Sequence, residues 1–172
     1  MVEHAQDGDT DAFELLVRRH QDAVYRITLR ILGDSGDAAD AAQEALVTAW
    51  RQLPKLRNTA TFPAWLYRIA TRRALNLTRS RHPAVPIGDD EKRLPGPAAG
   101  PEQHSVATGL REALELALAG LPPPQRTCWV LRELEGMSYD EIAEIVNATP
   151  TAVRGRIHRA RTHLVEALHS WR

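Results

Sequence analysis

Cysteine is nearly missing from this chain: Cys128 is the single one among 172 residues. One thiol forms no disulfide within the chain and excludes a zinc site built from four thiolates. Cys128 falls in an apolar helical pattern, which predicts a small buried hydrophobe. The seven histidines are scattered, with no HExxH-type pair and no Cys/His cluster. Also absent are a Gly-rich phosphate loop, a GxSxG elbow and a kinase lysine motif. No enzyme is expected from this inventory: no catalytic residue, no metal and no cofactor. No apolar run approaches membrane-spanning length, and Met1-Val-Glu-His-Ala-Gln-Asp7 lacks the basic and apolar regions of a signal peptide. The expectation is a cytoplasmic protein with no membrane insertion. Strand-like alternation longer than four residues is missing as well, and the predicted fold is all-α.

Formal net charge is zero, which at first argues against a nucleic-acid partner. The distribution argues the other way. Residues 57–82 hold six arginines and no acid, and residues 148–172 hold five arginines against Glu166 alone. Between them, residues 85–144 carry eleven acids against five bases. A phosphate backbone senses the local field rather than the total. Helical periodicity breaks between His82 and Pro101, where five prolines and three glycines fall. Prolines at that density remove backbone donors and block helix. The chain therefore divides into two small helical domains, 1–82 and 105–172, joined by an extended Pro/Gly-rich linker over 83–104.

Apolar spacing predicts three long helices in the first domain. Phe13, Leu16, Val17, Val24, Ile27 and Ile31 mark one that stops at Gly33-Asp34. Ala38, Ala41, Ala42, Ala45, Leu46, Ala49, Trp50 and Leu53 mark a second, ended by Pro54. The third begins near Phe62-Pro63, with Trp65, Leu66, Ile69, Ala70, Ala74 and Leu77 inward. In the second domain Leu110, Leu114, Ala117, Leu118 and Leu121 share one helix. A Pro122-Pro123-Pro124 break follows, then a helix from Gln125 to Glu135 with Gly136 as its left-handed cap.

The last quarter of the chain carries the clearest pattern. Ser138 and Glu141 stand at capping-box spacing at the start of a short helix. Asn147-Ala-Thr149 makes a turn, and Thr149-Pro150 opens a second helix with a hydroxyl cap and a residue whose fixed φ suits the first position. Val153, Ile157, Ala160, Leu164 and Leu168 form its inner stripe. Thr151, Arg154, Gly155, His158, Arg159, Arg161 and Thr162 fall on its other faces. Helix, turn and Arg-rich helix at this spacing point to the major groove of duplex DNA.

Two further surfaces stand out. Arg68, Arg72, Asn76 and Arg79 fall on one side of the third helix, next to Arg73 and Arg81, with Phe62, Trp65 and Tyr67 interleaved. Cations beside aromatics suit a single strand, whose bases stack while its phosphates pair; Trp65 fits a core anchor better. The preceding loop brings short polar side chains, Asn58, Thr59 and Thr61, able to bond an exposed base. Asp37, Asp40, Gln43, Glu44, Thr48 and Arg51 line the exposed side of the second helix. Without a histidine or a second carboxylate set, that acidic row fits protein docking, or plain solvent exposure, rather than catalysis.

These residues resemble a bacterial RNA polymerase sigma factor of the extracytoplasmic-function (ECF) group, in the sigma-70 family, over essentially the full length. The N-terminal half carries the resemblance in Asp11-Ala-Phe-Glu14, Asp37-Ala-Ala-Asp-Ala-Ala-Gln-Glu44, Ala49-Trp-Arg51 and Ala64-Trp-Leu-Tyr-Arg-Ile-Ala70. The C-terminal half carries it in Leu131-Arg-Glu-Leu-Glu-Gly136, Ser138-Tyr-Asp-Glu-Ile-Ala143 and Val153-Arg-Gly-Arg-Ile-His-Arg-Ala-Arg161. The resemblance implies that the first domain (region 2) docks on the β′ clamp helices of core RNA polymerase through Asp40, Gln43, Glu44 and Arg51. It implies capture of the single-stranded promoter −10 element by Asn58, Thr59, Thr61, Phe62, Arg68, Arg72, Arg73, Asn76 and Arg79. The second domain (region 4) is implied to rest on the β flap and read the −35 element with Thr151, Arg154, Gly155, His158, Arg159 and Arg161. An anti-sigma factor and a monomeric free state are implied too. Arg72 and Asn76 stand where the family usually has Asn and Asp, and Gly155 where Ser is common. The chain ends soon after the recognition helix, so no appended C-terminal domain is expected. The alternative is a conventional helix–turn–helix regulator that dimerises on duplex operators and has no use for the first domain's acidic face.

Overall fold

The computed structural model describes residues 1–81 and 106–169. The expected linker over 83–104 lies outside the described residues. Among those described there are eight α-helices and no strand, in two compact units, one within residues 1–84 and the other within 85–172.

In the first unit a short α1 (Val2–Gln6) precedes α2 (Thr10–Leu32), α3 (Ser35–Gln52) and α4 (Phe62–Arg81). Asp9 starts α2 by accepting from the amides of Asp11 and Ala12, both at 3.0 Å, which satisfies donors that have no partner inside the helix. Gly33, at φ 71°, ends it. Asp34 then caps α3 through the amide of Asp37 at 2.9 Å. The buried face of α3 is a row of alanines: Ala38, Ala41, Ala42, Ala45 and Ala49. Such small side chains let α2 and α4 close on α3, and Leu16, Val24, Leu53, Phe62 and Leu66 fill the space between. The sequence pattern gave no sign of α1. Its five residues are too few for a periodic signal, and a non-local contact holds it: Gln6 Nε2 donates to the carbonyls of Leu53 and Leu56 at 3.0 and 2.7 Å.

The second unit holds α5 (Val106–Ala119), α6 (Pro123–Trp129), α7 (Tyr139–Val146) and α8 (Pro150–His169). The triple proline does not delay α6 as expected. Pro123 is its first residue, because a proline there loses no helical hydrogen bond. After Trp129 the helix widens into a π turn over Val130–Leu134, with the Glu135 amide on the Val130 carbonyl at 3.3 Å. Gly136, at φ 66°, takes the left-handed position predicted for it. Leu118, Leu121, Ala160 and Leu164 form the core between α5 and α8, with Trp129 packed against it.

Candidate nucleic-acid interface

Every signal read for the helix–turn–helix is present in the geometry. Ser138 Oγ accepts from the Glu141 amide at 3.2 Å, and Glu141 Oε2 accepts from the Ser138 amide at 2.9 Å. Asn147 turns the chain at φ 53°, a left-handed conformation that asparagine tolerates better than most residues. Thr149 Oγ1 accepts from the Ala152 amide at 3.1 Å and starts α8. Val153, Ile157, Ala160 and Leu164 are buried, as the stripe predicted, and Leu168 is partly buried.

On the outer side of α8, Thr151, Arg154, His158, Arg161 and Thr162 are exposed, while Gly155 and Arg159 are half-buried. Their surroundings differ. The Arg154 guanidinium lies over the Tyr139 ring, 5.0 Å from its centroid, and Arg132 lies 4.5 Å from the same centroid. Arg132 also donates to the Met137 carbonyl at 2.8 Å. Two residues that the sequence did not single out therefore border α8: the Tyr139 ring holds Arg154 by a cation–π contact, and Arg132 adds a second cation on the same ring. The signal was the aromatic at the first position of α7, directly after the capping Ser138. Arg159 lies back along its helix, with its guanidinium over Gly155: a Cβ at position 155 would sit 3.6 Å from Nη1. Arg161 is ion-paired with Glu133 of the π turn, which raises its pKa further and makes it a weaker anion contact than its position suggested.

Arg156 offers no guanidinium to a partner on the outer face. It is 7% exposed, beneath the helix, and hydrogen-bonds the buried Cys128 thiol. Burial pushes that thiol's pKa up, and Arg156 opposes the shift. Counting arginines along 148–172 therefore overstated the charge presented to a partner.

In the first unit, Arg72, Asn76 and Arg79 form an exposed row on α4, with Arg68 half-buried one turn earlier. Phe62 corrects an expectation. It is 2% exposed and its ring packs against His20 and Trp65, at 5.5 and 5.9 Å between centroids, so it offers no face to a base. Phe62, Leu66, Ala70 and Ala74 are four apart and all buried; this phase assigns Phe62 to the core whatever charges surround it. Tyr67 is half-buried, its hydroxyl 3.1 Å from His20 Nδ1. Asn58 and Thr61 are exposed and also shape their own loop. Asn58 Oδ1 accepts from the Ala60 amide at 3.0 Å, and Thr61 Oγ1 donates to the Asn58 carbonyl at 2.7 Å; Thr59 between them is half-buried. Arg73 turns away from the α4 row toward α3 and donates to Thr48 Oγ1 at 3.1 Å.

Asp40, Gln43, Glu44 and Arg51 are all exposed on α3. Beside them lies an apolar groove of about 290 Å³, lined by Thr10 and Phe13 of α2 and by Gln43, Leu46, Val47 and Trp50 of α3. Leu46 and Trp50 belong to the apolar spacing that marks α3, and Leu46 packs at the edge of the core. Both are half-exposed, and Val47 is 44% exposed. The signal was Leu46-Val47 as neighbours, an apolar surface too wide for a single buried stripe.

Comparison with known proteins agrees with both halves. Residues 16–83 match the family model for Sigma-70 region 2, and residues 111–164 match Sigma-70, region 4. The chain is 35% identical to the RNA polymerase sigma-H factor of Pseudomonas aeruginosa, covering 98% of this chain and 92% of that protein. It is 38% identical to the ECF RNA polymerase sigma-E factor of Escherichia coli, covering 94% and 88%. The chain belongs to the ECF sigma factors of the sigma-70 family. This sigma factor also resembles CnrH, solved in complex with the cytosolic domain of CnrY, at 28% identity and TM-score 0.65, covering 98% of this chain and 95% of that one. Its fold is shared by the sigma factor RpoE of Bartonella quintana, solved with the anti-sigma factor NepR, at 22% identity and TM-score 0.65, covering 95% and 100%. As a member of this family it is an RNA polymerase specificity factor, and the dimeric operator-binding regulator is set aside. No helix among the described residues is long and apolar enough to cross a membrane.

Proposed function

We propose that this sigma factor divides promoter recognition between its two units. The first docks on the β′ clamp helices of core polymerase with Asp40, Gln43, Glu44, Arg51 and the groove at Leu46, Val47 and Trp50. Arg68, Arg72, Asn76 and Arg79, with the Asn58–Thr61 loop, then hold the opened −10 strand. The second unit rests on the β flap and inserts α8 into the major groove at −35. There Thr151, Arg154, His158 and Arg159 meet base edges or phosphates, and Arg132 is added to the cations beside the DNA. The chain supplies specificity without a catalytic step of its own, acts in the cytoplasm, and is monomeric when free.

The observation that carries this reading is the exposed row on α8, which follows the doubly capped α7, in one unit, with exposed cations and an acidic helix face in the other. Tethering both units to polymerase raises their effective concentration at paired promoter elements. An anti-sigma factor that silences the protein would have to cover these same rows; the relatives solved with partner proteins support such control. The test is in vitro transcription with purified core polymerase and mapped start sites. Initiation at defined sites sharing paired −35 and −10 sequences is expected, and no initiation on any template would refute the reading.

A further inference from the structure

Arg73 is held differently from the other α4 arginines described above. Nη2 donates to Thr48 Oγ1 at 3.1 Å, and Nη1 lies 3.6 Å from Glu44 Oε2. Glu44 and Thr48 are four residues apart on α3 and lie on one face, so one guanidinium bridges two successive turns of the neighbouring helix. The side chains of Arg73 and Glu44 are 43% and 65% exposed. An arriving partner can therefore take either charge without disturbing the alanine seam beneath.

Under the function proposed above, Glu44 stands in the polymerase-facing row and Arg73 on the strand-facing helix. We infer that the Glu44–Arg73 pair is a shared contact that couples the two binding events. Polymerase that takes Glu44 releases Arg73 to the phosphates of the −10 strand, and a strand that takes Arg73 releases Glu44 to polymerase. Whichever partner arrives first breaks the pair, so the second binds without that cost. The coupling is reciprocal, because both routes reach the same ternary state. Its size is bounded by what an exposed ion pair contributes, which sets the effect at about two- to five-fold in affinity, and salt screens it. The free protein then holds single strands more weakly than its arginine content suggests, which suits a factor that should engage DNA on polymerase.

The pair could instead be a fixed strut joining α3 to α4 in every state, and affinities distinguish the two. The probe is a fluorescein-labelled single-stranded −10 oligonucleotide from a promoter mapped by transcription. Its anisotropy is read at low ionic strength with the full-length chain, free or assembled with saturating core polymerase. Glu44→Ala is expected to raise strand affinity of the free chain about two- to five-fold. That gain should vanish in an Arg73→Gln background, and it should vanish again in the holoenzyme, where polymerase has already claimed Glu44. Thr48→Val, which leaves the acid in place, should give a smaller gain of the same sign. A gain that survives in the Arg73→Gln background reports only the loss of a repelling charge and overturns the coupling. So does a gain that survives in the holoenzyme, or no gain in the free chain. Failure of the unmodified chain to bind either strand or polymerase would sink the functional reading itself, and the coupling with it.

Discussion

His20 shows how one side chain ties stability to pH. Its Nδ1 lies 3.1 Å from the Tyr67 hydroxyl, and its ring packs edge-on against Phe62. Burial, and then the charge of Arg19, lowers its pKa below the ordinary 6.5. The unfolded chain takes up this proton near 6.5 while the folded chain resists it. The unfolded state therefore binds more protons just below that value, and stability falls as pH drops through the window. The urea midpoint should decrease between pH 7.5 and 5.5, and His20→Gln should remove the part that belongs to this residue. Equal decreases in both proteins would assign the pH dependence elsewhere. Arg159 carries the matching prediction for recognition. Arg159→Ala should cost ~1–3 kcal/mol of discrimination at one −35 base pair, read as affinity across single-base variants of the promoter. Equal loss on every variant would make it a phosphate contact. Individual fates were the least legible level: Phe62 and Arg156 both sit in basic, mixed-polarity stretches, and burial alone distinguishes them from exposed neighbours.

Elements were easier to read because their ends are decided locally. Ser138, Glu141, Asn147, Thr149 and Gly136 each do in the structure what their chemistry predicted, since a cap needs only residues within one turn. Ser138→Ala removes the hydroxyl that accepts the Glu141 amide, and should destabilise the chain by ~0.5–2 kcal/mol. Chemical denaturation measures that loss, and an unchanged midpoint would mean that packing by Ile142, Ile145 and Val146 holds α7 unaided. The elements that escaped prediction depend on contacts beyond a single helical turn. α1 is fastened by Gln6 to carbonyls 47 and 50 residues away. The π turn at Val130–Leu134 contains Arg132, whose side chain reaches forward past the helix end to the Met137 carbonyl and the Tyr139 ring.

The whole molecule presents less charge than it contains. Arg126 and Arg156 are buried, Arg161 is paired with Glu133, and Arg73 with Glu44. Among the cations singled out for recognition, those left outward are the α4 row and the start of α8, one set in each unit. Because the units carry separate surfaces, a change on one should leave the other's partner alone. Glu44→Lys is expected to weaken the affinity for core polymerase while leaving the salt-dependent affinity of the full chain for −35 duplex within about two-fold, as an exposed charge that makes no contact with the duplex is screened. A co-sedimentation or anisotropy titration reads the first, and duplex binding over a salt series reads the second. Unchanged polymerase affinity would remove α3 from the docking surface.

The amino-acid sequence by itself determined the long helices, the caps of the helix–turn–helix and the order of the two units. Periodicity and capping are written in residues a few positions apart, and they cost no loop closure to read. Tertiary structure alone decided which arginines face outward, that Phe62 belongs to the core, and that Leu46, Val47 and Trp50 border a groove. It also decided that Glu44 meets Arg73, 29 residues further along the chain. In the first unit those outcomes depend on how closely α2 and α4 approach the alanine face of α3, and in the second on how α6 packs on α8, both set between segments apart in sequence.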